Sequence, residues 1–78
     1  MKNVNLRESV TVAVQNYLEI LDGEVPGGGL YRIVTGEVER ELFYFIFEYC
    51  ERNQSLATKT LGISRATFRK KMIEFGFI

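Results

Sequence analysis

The sequence predicts an all-α chain of four helices: two long helices that form an intertwined dimer core, followed by a C-terminal helix-turn-helix. Three observations lead there. Apolar residues recur at spacings of three and four along two long segments. The only proline and four of the seven glycines fall between Asp22 and Gly29, separating those segments, while Gly62 and Gly76 close two shorter ones. The chain has 78 residues, 46% of them hydrophobic, and a chain this short buries only about 60% of its unfolded surface by itself. That apolar content calls for a supplement to the core. A lone Cys50 and the absence of His rule out an internal disulfide and a transition-metal site built by one chain, so a homodimer is expected.

In the first segment Leu6, Val10, Ala13, Val14, Tyr17, Leu18 and Leu21 make an amphipathic stripe from Leu6 to Leu21, with Asn5 as N-cap and Glu8 three residues on in the capping-box position. The stretch Asp22-Gly23-Glu24-Val25-Pro26-Gly27-Gly28-Gly29 must then end the helix. Its triple glycine is not a phosphate loop, because no strand precedes it and no Gly-Lys-Ser/Thr follows.

The second segment predicts a helix from Leu30 to Arg52. Val34, Val38, Leu42, Phe45, Ile46 and Tyr49 form one apolar face, and Phe43, Phe47 and Cys50 carry hydrophobicity to the other side. A helix apolar all round must be enclosed, and one chain has too little remaining mass to do it. A second subunit is expected to pack there. Cys50 reads as a small buried hydrophobe, with no His to activate it.

The third and fourth helices are short. Asn53 or Ser55 caps a helix ending near Leu61, with Leu56, Ala57, Thr60 and Leu61 inward and Gly62 as the left-handed stop. Ile63 packs under the turn, Ser64 caps the last helix, Phe68, Met72 and Phe75 share its inner face, and Gly76 ends it. The division is thus one domain over residues 1–78, with dimerisation helices at 6–52 and a helix-turn-helix region at 53–78.

Overall charge is zero, which conceals a strong asymmetry. From Met1 to Glu51 four basic residues stand against nine acidic ones, a net charge of −5; from Arg52 to Ile78 six basic residues stand against Glu74 alone, a net charge of +5. A basic half points to a polyanion partner, or else to a basic helix that neutralises an acidic partner helix. On a helical wheel Lys70 and Ala66 lie opposite the apolar stripe of the last helix, with Arg65 and Arg69 at one border. Small Ala66 and Thr67 permit close approach of the helix to DNA, Arg65 reaches a guanine edge or a phosphate, and Arg69, Lys70 and Lys71 suit phosphates. The helix macrodipole alone would account for Lys70 and Lys71, but not for Arg65 at the N-terminal end, where a cation is unfavourable.

Other classes are excluded. The longest apolar stretch, Leu42 to Cys50, is interrupted by Glu48 and falls short of the roughly 20 residues of a membrane span. The N-terminus carries no apolar signal-peptide core, which together with a free thiol predicts a cytoplasmic protein. Without His, an activated nucleophile or a cofactor motif, no enzyme, cofactor, metal or small-molecule substrate is expected.

The stretch Asn53-Gln54-Ser55-Leu56-Ala57, through Leu61-Gly62-Ile63-Ser64-Arg65-Ala66-Thr67-Phe68-Arg69-Lys70-Lys71, to Phe75-Gly76 resembles the helix-turn-helix of the Fis family, the bacterial factor for inversion stimulation. Leu6-Arg7-Glu8-Ser9-Val10, Asn16-Tyr17, Leu30-Tyr31 and Glu37-Val38-Glu39 also resemble its first two helices, so the likeness runs from Leu6 to Phe77. The short motif alone is shared with the output domains of nitrogen-regulation enhancer-binding activators.

The resemblance implies a nucleoid-associated transcriptional regulator: a homodimer on double-stranded DNA whose two recognition helices enter successive major grooves. Their close spacing bends the duplex and reads its shape at untouched base pairs. It places Arg65 at the guanine-contacting position, Thr67 and Lys70 at phosphate or groove contacts, Arg69 and Lys71 at adjacent basic positions, and Asn53 and Ser55 at backbone contacts.

Four departures modify that expectation. Ser64 stands where the family has a base-reaching asparagine, Leu56 replaces an arginine, and Glu41 replaces a helix-kinking proline, which predicts a straighter second helix. The chain also begins almost at the first helix, without the family's N-terminal hairpin arm, so invertase stimulation is not expected. Two other functions remain open: an operator-specific regulator related to the activator output domain, and a dimerisation adaptor that has lost DNA binding.

Overall fold

A computed structural model describes residues 5–78; the readings of the N-terminus, concerning Lys2, export and an arm, lie outside the described residues. The chain is all-α, with four helices: α1 (Leu6–Leu21), α2 (Leu30–Tyr49), α3 (Gln54–Leu61) and α4 (Arg65–Glu74). Its internal contacts divide it into two compact units, one ending at Val34 and the other spanning Thr35–Ile78. The boundary falls inside α2, so most of that helix belongs with α3 and α4.

In the first unit the Asn5 side chain accepts the Glu8 backbone N–H at 3.1 Å, which is the asparagine half of the expected box. No residue of α1 is buried. Val14, Tyr17 and Leu21 are partly covered, whereas Leu6, Val10, Leu18 and Ile20 lie open.

The second unit holds the core. Phe43, Phe47 and Cys50 of α2 pack with Ala57 of α3 and with Phe68 and Met72 of α4, and Ile46, Leu61, Ile63, Phe75 and Phe77 close over this cluster. Phe43 stacks on Phe68, with ring centroids 5.8 Å apart and planes at 15°, and meets Phe75 edge-on at 5.8 Å. Buried Cys50 places its Sγ 3.8 Å from Thr60 Oγ1. The aromatic periodicity of α4 therefore serves to seat it on one side of α2. The opposite side stays open: Val38, Leu42, Phe45 and Tyr49 are exposed.

α2 runs without interruption through Glu41 but stops at Tyr49, three residues before the expected end at Arg52. The physical reason is a paired 6→1 and 5→2 closure. Arg52 N–H donates to the Phe47 carbonyl at 2.8 Å and Glu51 N–H to the Glu48 carbonyl at 2.9 Å. This Schellman stop puts Glu51 at φ 54° and Arg52 at φ 62°, left-handed conformations that normally call for glycine. α4 ends with the same closure, at Gly76 (φ 79°), as the sequence leads one to expect.

In α3 the cap left open between Asn53 and Ser55 is Asn53, accepting the Leu56 N–H at 3.0 Å, and two readings of its inner face are corrected. Thr58 rather than Thr60 faces inward, and Leu56 is 47% exposed rather than in the core. Thr58 tolerates burial because its hydroxyl donates to the Ser55 carbonyl at 2.8 Å.

Candidate nucleic-acid interface

α3 and α4 are joined by the three-residue turn Gly62–Ser64. Gly62, at φ 74°, donates its N–H to the Thr58 carbonyl at 2.8 Å, and Ile63 donates to the same oxygen at 3.2 Å. This pair of hydrogen bonds satisfies the end of α3 and turns the chain directly into Ser64, the N-cap of α4. The Ser64 hydroxyl accepts the Thr67 N–H at 3.1 Å and lies 3.0 Å from Thr67 Oγ1. Ser64 and Thr67 thus form one hydroxyl pair on the exposed edge of the first turn.

Arg65 opens α4, and its Nη2 donates across the turn to Ser55 Oγ on α3. The two residues border a shallow depression of about 470 Å³, lined also by Asn53, Leu56, Thr58 and Lys59. No acidic residue lines it, and it gathers two cations, a serine hydroxyl and a capping asparagine whose amide nitrogen is still available to donate. An anionic oxygen is the complementary ligand for such a surface.

Three of the predicted site residues, Asn53, Ser55 and Arg65, therefore converge on one depression. Arg69 and Lys70 are exposed on α4 and have no ion-pair partner among the described residues. Lys71 is placed differently. Its Nζ lies 3.2 Å from Glu39 Oε2 of α2 and 5.9 Å from the Phe75 ring centroid, so its charge is directed at this chain's own helix. Lys59 joins the depression without having been singled out in the sequence. Its only signal in the sequence is its share of the basic count, because its position in the last turn of α3 carries no motif.

The fold and this surface define an all-α protein ending in a helix–turn–helix with a basic outer face. A Fis-like DNA-binding protein of Xylella fastidiosa is 45% identical over 73 residues, 94% of this chain and 80% of that protein. The DNA-binding protein Fis of Histophilus somni is 43% identical over 74 residues, covering 95% of this chain and 74% of its own length. Its counterpart in Mannheimia haemolytica is 40% identical over the same shares. No family model matches the chain. With identities of this size over nearly its whole length, the chain belongs to the Fis family.

Proposed function

We propose that this protein is a homodimer that binds and bends double-stranded DNA with broad sequence tolerance, acting as a nucleoid-associated transcriptional regulator in the bacterial cytoplasm, without enzymatic activity. The observation that carries the reading is Arg65. A guanidinium at a helix N-terminus sits in the positive end of the macrodipole, and here it is held over a depression that already contains Lys59 and no acid. An anion at that place satisfies both cations and the dipole, and a phosphate backbone supplies a row of them.

In this reading α4 inserts into the major groove by its N-terminal turn. Arg65 takes a guanine edge or a phosphate, and the Ser64–Thr67 pair and Lys70 take groove and phosphate oxygens. Asn53, Ser55 and Lys59 hold the backbone from α3, and Arg69 adds long-range attraction. Lys71 contributes charge at reduced strength because Glu39 partly neutralises it. Two copies place two such helices on one duplex. The Val38, Leu42, Phe45 and Tyr49 face of α2 supplies a surface for a second copy to cover. Bending follows if the two helices are closer than one turn of straight DNA, with selectivity for easily narrowed A/T centres.

The test is a salt-titrated gel shift with A/T-centred and G/C-centred duplexes. Wild type should bind the A/T centre more tightly, with affinity falling steeply as salt rises. Arg65→Ala should lose about 1–3 kcal/mol. A folded protein that does not shift DNA at low salt refutes the proposal and leaves the adaptor reading.

A further inference from the structure

We propose that Glu39 and Arg40 of α2 are positioning residues that clamp α4 at two points, so that DNA affinity depends on side chains that do not touch DNA. The inference rests on the DNA-binding reading above and adds to it a means of holding the reading helix in place.

Arg40 grips the end of α4. Its Nη1 donates to the Phe75 carbonyl at 3.2 Å, and its guanidinium carbon lies 4.9 Å from the Phe77 ring centroid. Phe75 is the C-cap of α4, where carbonyls without helical partners concentrate partial negative charge, so a cation there is favoured twice over. The Phe77 ring is held in turn by Tyr44 of α2 at 5.2 Å and by Phe75 at 5.9 Å, which fixes the surface on which the guanidinium rests. One turn back along α4, Glu39 pairs with Lys71 at 3.2 Å.

The hydrophobic cluster of Phe43, Phe68 and Met72 holds the helices together without strong directional preference. A single polar contact would still let α4 rotate about it. Two contacts four residues apart along one helix, made by adjacent residues of another, restrict both rotation and sliding. Since polar contacts as exposed as those of Arg40 and Glu39 contribute little to global stability, the effect of the clamp falls on orientation. Arg40 is also engaged on the ring and the carbonyl, which sets it apart from the unpaired Arg69 and Lys70.

The experiment compares wild type, Arg40→Ala, Arg40→Lys, Phe77→Leu and the Arg40→Ala/Phe77→Leu double variant. Fluorescence anisotropy on one A/T-centred duplex gives affinity and salt slope, amide hydrogen exchange reports the end of α4, and urea denaturation reports stability. Arg40→Ala should raise Kd several-fold, up to about tenfold, because binding must then order an α4 that the charged hydrogen bond no longer holds in place. The salt slope should stay unchanged, because no phosphate contact is removed. The Phe77 amide, bonded to the Met72 carbonyl at 2.8 Å, should exchange faster while the Phe68 amide does not. Phe77→Leu should reproduce part of the loss, the double variant should be no worse than Arg40→Ala, and Arg40→Lys should recover part of the affinity.

Affinity equal to wild type in Arg40→Ala overturns the clamp. So does a reduced salt slope in Arg40→Ala with Phe77→Leu silent, which would make Arg40 a direct phosphate ligand. Affinity losses that merely track lost urea stability across all the variants also overturn it. A wild-type chain that does not bind the duplex at all overturns the underlying DNA reading instead.

Discussion

A carboxylate placed on the open face of α2 tests the proposed dimer directly. In its own chain Phe45 is 61% exposed and, among the described residues, its ring meets one other aromatic ring, that of Tyr49 at 6.2 Å. Val38, Leu42 and Tyr49 on the same face are 52%, 47% and 74% exposed. Full burial of a phenylalanine is worth up to about 3 kcal/mol, so covering the open fraction of Phe45 contributes about 1.5–2 kcal/mol in each subunit, or roughly 3–4 kcal/mol for the pair. Phe45→Glu removes that term twice and adds the cost of desolvating two carboxylates. Counting only the first effect, the dimer Kd should rise by at least about 100-fold.

Sedimentation equilibrium over a dilution series reads this shift. Circular dichroism supplies a second readout, since a helix the length of α1 with no buried residue is marginal alone in water, and helicity should fall as subunits separate. A wild-type chain that sediments as a fully helical monomer at every dilution would refute the reasoning, as would a Phe45→Glu variant that stays dimeric.

The remaining predictions concern single residues of the second unit. Glu51→Gly should stabilise by about 0.5–1 kcal/mol, because relief of the left-handed strain exceeds the added unfolded-chain entropy; a raised urea midpoint at constant slope checks it. Ser64→Ala removes the cap of α4 and should cost about 1 kcal/mol, whereas Ser64→Asn keeps a capping oxygen and should leave the urea midpoint nearly unchanged. Leu56→Arg adds a cation beside Lys59 and Arg65 and should steepen the salt dependence by about 0.9 per subunit. An unchanged slope would mean that α3 stands away from the phosphates.

Local signals were legible in the sequence because their physics is local. Asn5, Ser64, Gly62 and Gly76 act within one helical turn, and each stands where the structure uses it. The sequence extends α2 past its true end because the stop has no glycine: Glu51 and Arg52 adopt the required conformation against their own preference, leaving no residue type to announce it. In α3 the sequence places Leu56 and Thr60 inward where the structure buries Thr58. Hydropathy favours leucine inside and does not separate one threonine from another; the Thr58 bond to the Ser55 carbonyl makes that threonine acceptable inside. The helical wheel sets Lys70 opposite the apolar stripe but does not reveal the partner of Lys71, because Glu39 is distant along the chain and only packing brings the two together.

The all-round apolar character of α2 has the same explanation and shows what the chain does with it. Periodicity alone identifies two apolar sides and cannot say which belongs to the chain's own core. The decision lies in α4, where Phe68 and Met72 need a partner surface that stacks, and Phe43 and Phe47 provide the rings. Once α3 and α4 occupy that side, Val38, Leu42, Phe45 and Tyr49 have no equivalent cover among the described residues. A face of that size on so small a chain is a standing cost unless a second copy covers it. In the proposed function one helix then serves two tasks: one side seats α4, the proposed reading helix, and the other is the face proposed to join a second copy. Substitutions on opposite sides of α2 should therefore separate, those at Phe43 or Phe47 unseating α4 and those at Phe45 or Tyr49 dissociating the dimer.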